Sequence, residues 1–319
     1  MKQKFNILTL LAVLCLGATA CNDDDSVFES SAADRIKEGV ARYDRALLEG
    51  GTWIMEYFPS QSIKYGGWMY VLRFNEDHTV RAWFEGSTFT DDKYVETPYA
   101  VEYSTGPMLK FTNHNDYLHF FSFPGDNGAG YQGYEGDYEF TLMSQNEASE
   151  IIMRGIKTRN DIRLRPLPEE YSPEVYVEAV RESQRRVKPT TLKLMVNGKQ
   201  YGTLTRENAL DETDFRKYYA SKLWTLSYTR QVQSTDPTGA PIFDEAGNPV
   251  YESVQVNDQL AFIHYPDNTM KLYKPYTFRC ELEGLPDQTI QTLAWREGEV
   301  ATTSHFVCTD SFLEIRFEQ

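Results

Sequence analysis

The segment Pro124–Asp137 carries the residue types that could bind a polar ligand. Five glycines in it permit close backbone approach and φ angles that other residues avoid. The side chains that offer a flat face or an acceptor oxygen are Tyr131, Tyr134, Asp126, Glu135 and Asp137. This mixture suits stacking against a sugar ring or coordination of Ca²⁺, although the acids do not follow EF-hand spacing. The alternative is a glycine-rich loop whose tyrosines pack onto the protein. We predict that a carbohydrate or similar ligand, if bound, contacts this segment.

Sequence motifs for catalysis and metal binding are absent. The chain contains no HExxH, Cys-x-x-Cys or Gly-x-Ser-x-Gly motif, and no phosphate-binding or dinucleotide-binding fingerprint. The five histidines are scattered, which predicts no metal site and no cofactor. Carboxylates are so numerous that a glycosidase pair remains an alternative. The sequence therefore favours a protein without catalytic residues, with a hydrolase as the second hypothesis.

The first twenty residues have the pattern of a signal peptide that ends at a lipid-bearing cysteine. Lys2 and Lys4 form a positive start, Ile7–Leu16 is an apolar run too short to span a bilayer, and Gly17–Ala20 are small. Cys21 follows directly, so we predict cleavage of residues 1–20 and acylation of Cys21. The alternative is an ordinary secreted protein with a fortuitous cysteine. The polar residues 21–31 should form a solvated tether.

The charge of the chain excludes one class of partner. Its net charge is −15, which repels nucleic acids and anionic lipid headgroups. We therefore predict no nucleic-acid partner and expect membrane attachment to come from the lipid anchor.

Two cysteines remain after the predicted signal peptide and anchor. Cys280 and Cys308 form an even pair, which favours a disulfide in an oxidising compartment. Two buried free thiols are the alternative, because spacing alone does not establish disulfide geometry.

The pattern of apolar residues predicts a mostly β protein with two halves. Short strands alternate apolar and polar residues, which is typical of antiparallel barrels or sandwiches. Trp53-Ile54-Met55-Glu56-Tyr57 resembles Trp224-Thr225-Leu226-Ser227-Tyr228, and a hairpin follows each. Ser172-Pro173-Glu174 predicts the start of a connecting helix that ends near Val187. We predict β domains at 32–168 and 191–319, each preceded by a helix, and a helical connector at 169–190. A diverged duplication and two unrelated β domains both fit.

Several stretches resemble a known family. Each half, with a helix leading into a Trp-containing strand, looks like a small lipocalin-like barrel. The chain resembles a family of Bacteroidetes surface lipoproteins, domain of unknown function 4302. The stretches that carry this resemblance are Cys21-Asn22-Asp23-Asp24-Asp25, the helix before Trp53, Tyr117-Leu118-His119-Phe120 and Gly133-Tyr134-Glu135-Gly136-Asp137-Tyr138-Glu139-Phe140.

The resemblance implies placement in the outer membrane, lipid-anchored and exposed at the cell surface, near glycan or peptide uptake systems. It transfers no catalytic residues. The expected function is a non-catalytic binding or accessory subunit of an outer-membrane nutrient uptake complex, with a glycan or peptide ligand. A hydrolase acting on extracellular glycan or peptide and a purely structural accessory subunit are the alternatives.

Overall fold

The computed structural model describes residues 31–87, 93–124, 133–279, 286–311 and 313–319. Residues 40–319 form one compact unit that contains both barrels. The helices are α1 (Ala32–Glu49), α2 (Pro173–Arg186) and α3 (Phe215–Ala220), with a short 3₁₀ helix at Ala301–Thr303. Among these described residues, no helix is both long enough and apolar enough to cross a bilayer.

The first barrel is an antiparallel meander of eight strands. Its strands are β1 (Thr52–Tyr57), β2 (Trp68–Phe74), β3 (Thr79–Phe84), β4 (Val95–Tyr103), β5 (Pro107–Phe111), β6 (Glu139–Gln145), β7 (Ile151–Gly155) and β8 (Asp161–Pro166). Pairing between β1 and β8 closes it. Trp53, Met55 and Tyr57 point into its core, as the period of two predicts.

The second barrel has the same architecture. Its strands are β9 (Thr191–Val196), β10 (Lys199–Thr205), β11 (Leu223–Gln233), β12 (Tyr251–His264), β13 (Thr269–Phe278), β14 (Gln288–Arg296), β15 (His305–Cys308) and β16 (Ile315–Glu318). Pairing between β9 and β16 closes it. The predicted fold class, mostly β with two antiparallel barrels each preceded by a helix, is confirmed.

A long arm projects from the second barrel. Strands β11 and β12 stay paired as far as Gln233 and Tyr251, and most of β12 on this arm is solvent-exposed. At its tip, the Asp236 carboxylate accepts the Thr238 and Ala240 N–H groups, and Asp244 does the same for two further N–H groups. The two carboxylates thus order two turns in the segment that joins β11 and β12.

Side chains fill the interior of the first barrel. Its core contains fully buried aromatic rings: Trp53, Trp68, Tyr70, Phe84, Phe111, Phe121 and Phe140. A small eight-stranded barrel is just wide enough either to be filled by side chains or to hold one small ligand. In the first barrel, large rings take this space.

The two tryptophan strands differ in their place along the chain. Trp53 lies on the first strand of its barrel, whereas Trp224 lies on the third strand of its own, after the β9–β10 hairpin. A tandem duplication that keeps strand order is therefore wrong. The hairpins that follow are nevertheless built alike, since Asp77 and Asp267 each accept the N–H and hydroxyl of the threonine two residues on.

Helix α2 joins the barrels through packing as well as through the chain. Ser172 caps its N-terminus and Pro173 opens it, as predicted. Its buried side chains belong to a cluster that also contains outward-facing residues of both barrels. The cluster consists of Ile54, Phe58, Met69, Val71, Trp83, Tyr176, Val177, Val180 and Ile263. The backbones of the two barrels also come close together at this cluster. The Gly67 N–H donates to the Phe262 carbonyl at 3.0 Å. A Cβ atom on Gly67 would lie 2.6 Å from side-chain atoms of Phe58 and Ile263.

A buried ion pair also links the halves. The Lys222 ammonium lies 2.8 Å from the Glu85 carboxylate, and both side chains are completely buried. Lys222 also donates to the Gly67 carbonyl at 2.9 Å, and Glu85 accepts the Met69 N–H and the Gln184 amide. Burial lowers the pKa of Lys222, and the charge of Glu85 opposes that shift. The first barrel, α2 and the second barrel thus share one polar network.

Cys308 carries a buried free thiol, whose Sγ lies 3.6 Å from the Thr289 carbonyl oxygen. Burial raises the pKa of this thiol. The structure gives the predicted disulfide no support, but Cys280 lies outside the described residues, so the pairing stays a prediction.

Candidate functional site

A cleft of about 340 Å³ lies between the outer faces of the two barrels. Its lining residues are Glu56, Phe58, Ile152, Asp161, Ile162, Arg163, Ile263, Tyr265, Lys271, Leu272, Tyr273, Lys274 and Gln291. They lie on β1, β7 and β8 of the first barrel and on β12–β14 of the second, except Phe58 and Tyr265, which directly follow β1 and β12.

Strand alternation explains why these side chains meet. On β8, Ile162 and Leu164 point into the barrel core, so Arg163 points outward, opposite Glu56 of β1. On β13, Met270 and Leu272 belong to the second core, so Lys271 and Tyr273 are directed outward.

Direct contacts hold the two walls together. The Asp161 N–H donates to the Tyr273 hydroxyl at 2.8 Å, and the rings of Phe58 and Tyr273 are 5.0 Å apart. The cleft therefore lies between two barrels that are in direct contact through Tyr273.

Glu56 is held in a buried cluster on the wall of the cleft. Its carboxylate accepts from Arg165 Nε at 3.0 Å, and Arg165 also donates to the Tyr176 hydroxyl at 2.7 Å. The Arg165 guanidinium lies 5.4 Å from the centre of the Tyr265 ring. Burial and the nearby charge of Glu56 raise the pKa of the Tyr265 hydroxyl. These contacts give the charge of Glu56 a cationic partner within the protein.

Asp161 is the second carboxylate of the cleft. It pairs with Arg154 at 2.7 Å, and its side chain is about half exposed. Each of the two carboxylates thus has its own arginine.

Three cations of the cleft have no such partner. Arg163, Lys271 and Lys274 form no ion pair within the part of the chain that the structure describes. Lys274 lies 5.5 Å from the centre of the Tyr273 ring, a cation–π distance. The cleft is locally positive although the whole chain is strongly acidic.

The structure corrects the roles expected for two residues of the glycine-rich segment. Tyr134 is 2% exposed and packs against the rings of Tyr65 and Phe215, with centroids 5.2 and 4.8 Å away. Burial raises the pKa of its hydroxyl to about 12. Asp137 is buried and accepts the Lys157 and Thr158 N–H groups, which orders the β7–β8 turn. Neither side chain offers a free face or oxygen to a ligand, because the fold uses both.

The remaining predicted residues divide into two groups. Glu135 pairs with Lys64 at 2.5 Å and accepts from Ser60 at 2.8 Å, and the hydrogen bond from Lys64 lowers its pKa. Asp126, Tyr131 and Cys21 lie outside the described residues.

Two of the five histidines lie close together in the structure. The rings of His114 and His119 are 5.5 Å apart, because Asn115 caps the intervening turn through the Tyr117 and Leu118 N–H groups. Across the residues described here, no group of three His, Cys, Asp or Glu side chains could hold a metal ion.

Sequence reasoning did not identify the cleft. The alternation on β8 and β13 placed Arg163 and Lys271 on outer faces, which was the available signal. Which outer faces meet depends on α2 and on the packing of Ile263 against the first barrel. That information is not contained in any local pattern.

Comparisons with known proteins agree with the resemblance noted from the motifs. The family described as a domain of unknown function (DUF4302) matches residues 24–276, which is most of the chain. No curated protein and no solved structure matches this chain. The chain therefore belongs to the DUF4302 family.

Proposed function

We propose that this protein is a lipid-anchored, cell-surface binding subunit of an outer-membrane nutrient uptake system, and that it holds an extracellular ligand in the inter-barrel cleft without transforming it. The cleft carries the proposal. Its volume of about 340 Å³ lies in the range of roughly 300–1,000 Å³ that small-molecule sites occupy. Aromatic, cationic and amide side chains converge in it, which is the mixture that orients a polar ligand.

Binding is favoured over hydrolysis by the state of the two carboxylates. A glycosidase needs one carboxylic acid to donate a proton and a second carboxylate as base or nucleophile. Glu56 and Asp161 are each held in an ion pair, with Arg165 and Arg154 respectively. An arrangement of this kind supports recognition better than proton transfer.

Blocking the cleft tests the binding function without knowledge of the ligand. Ile152 lines the cleft, and Ile152→Trp should fill part of its volume. We expect this variant to weaken the binding of any ligand found in a panel of extracellular saccharides and short peptides by more than tenfold. Isothermal titration calorimetry measures the affinity, and thermal unfolding shows whether the fold persists.

Ile242→Trp is the matched control, because Ile242 lies on the exposed arm. A ligand that binds the control and the Ile152→Trp variant equally would place the site elsewhere. The absence of any binder would remove the support for a binding function.

The anchor is tested independently. We expect the mature N-terminal peptide to begin at Cys21 and to carry the mass of acyl chains. We expect Cys21→Ser to release the protein from membranes, because the substitution removes the acyl chains that hold it there. Mass spectrometry of the wild-type protein purified from membranes measures the first, and the distribution of the Cys21→Ser variant between membrane and soluble fractions measures the second. An unmodified Cys21, or cleavage at another position, would contradict the lipoprotein assignment.

A further inference from the structure

We infer that the ligand of the inter-barrel cleft is an acidic saccharide, whose carboxylate or sulfate group is held by Arg163, Lys271 and Lys274. This inference rests on the proposed binding function and names its ligand class.

The balance of charge is the first argument. The negative charges of Glu56 and Asp161 are matched by Arg165 and Arg154. Within the described chain, the three remaining cations have no carboxylate partner, although the protein carries an excess of acidic residues. Unpaired cations that share a cleft repel one another, and a bound anion would remove that repulsion.

The placement of the cations is the second argument. Arg163 lies on β8 of the first barrel, whereas Lys271 and Lys274 lie on β13 of the second. An anionic group between them would contact both walls. The planar fork of an arginine suits a carboxylate or sulfate, and the lysines add mobile point charges.

The uncharged lining is the third argument. The Tyr273 ring packs against Phe58, and its hydroxyl accepts the Asp161 N–H and can still donate its own proton, while Gln291 adds an amide. A sugar ring carries hydroxyl groups at its edge, which hydrogen bonds from these two side chains would complement. The volume of about 340 Å³ suits one or two sugar rings.

A set of matched probes tests the charge requirement. The probes are digalacturonic acid, its dimethyl ester, neutral galactobiose, a sulfated disaccharide and the dipeptide Ala-Asp, each titrated calorimetrically into the full-length protein. We expect the acid or the sulfated sugar to bind at least tenfold more tightly than the ester and galactobiose. Affinity should fall as the salt concentration rises, because salt screens the interaction.

Charge-removing variants locate the effect. Arg163→Gln and Lys271→Gln should each weaken binding of the acidic sugar more than tenfold. Lys157→Gln removes the same charge from an exposed position outside the lining and should have no effect.

The outcomes separate the two proposals. If the neutral and acidic sugars bind equally and Ile152→Trp abolishes both, the cleft is a binding site and the acidic ligand class is overturned. Binding of Ala-Asp alone also overturns the saccharide. Tight binding of only the carboxylated or only the sulfated sugar supports the inference and identifies the anion. If no probe binds, the ligand class is rejected, and the wider panel decides the binding function.

Discussion

Lys222→Met is expected to lower the free energy of unfolding by about 3–5 kcal/mol, the range found when one partner of a buried ion pair is removed. The substitution would leave the Glu85 carboxyl group completely buried without its cationic partner. It would also remove the donor to the Gly67 carbonyl and the cation 4.5 Å from the centre of the Trp68 ring. Urea unfolding, followed by tryptophan fluorescence and circular dichroism, measures the loss.

A second substitution tests the mechanism. Lys222→Met combined with Glu85→Gln should be markedly more stable than Lys222→Met alone, because no buried charge remains unpaired. Exposed Lys157→Met is the control and should change stability by less than about 0.5 kcal/mol. A loss below about 1 kcal/mol for Lys222→Met would show that Glu85 finds water or another partner, and that the pair does not hold the barrels together.

Tyr134→Ala is expected to destabilise the protein by about 3–5 kcal/mol, as truncation of a buried aromatic side chain does. Tyr134 lies between Tyr65 of the first barrel and Phe215 of α3, so its removal opens a cavity where the two halves meet. Chemical denaturation measures the change.

Tyr138→Ala provides the comparison four residues along the chain. Tyr138 is 37% exposed, so its truncation should cost much less. If Tyr134→Ala leaves stability unchanged and instead abolishes ligand binding, the original expectation for the glycine-rich segment would be correct and the packing role wrong.

The barrel architecture could be predicted because it depends on local alternation. Trp53, Met55 and Tyr57 follow the period of two, and the Asp-x-Thr turns at Asp77 and Asp267 close hairpins where the turn residues indicated them. The order of the tryptophan strands could not be read in this way. A meander barrel closes on itself, so a strand with the same pattern fits at any place in it.

The candidate functional region was harder to predict, because the burial of its side chains depends on contacts between residues that are far apart in the sequence. The glycine-rich segment predicts that Tyr134 is an exposed loop residue. In the structure, Phe215 of α3, which is distant from Tyr134 in the sequence, covers its ring. Similarly, Glu85 and Lys222 look like ordinary surface charges in the sequence. They become a buried pair only when the second half of the chain docks on the first.

The closure of each barrel by its first and last strands has a consequence for biogenesis. A chain that is synthesised from its N-terminus completes the first barrel once β8 has emerged, but Glu85 then lacks the lysine that neutralises it. The second barrel must wait for β16, whose Glu318 pairs in register with Lys193. A nascent or prematurely terminated polypeptide therefore exposes an open sheet edge and an unmatched charge, which are features that quality-control proteases and chaperones can recognise. The second barrel closes only when β16 pairs with β9.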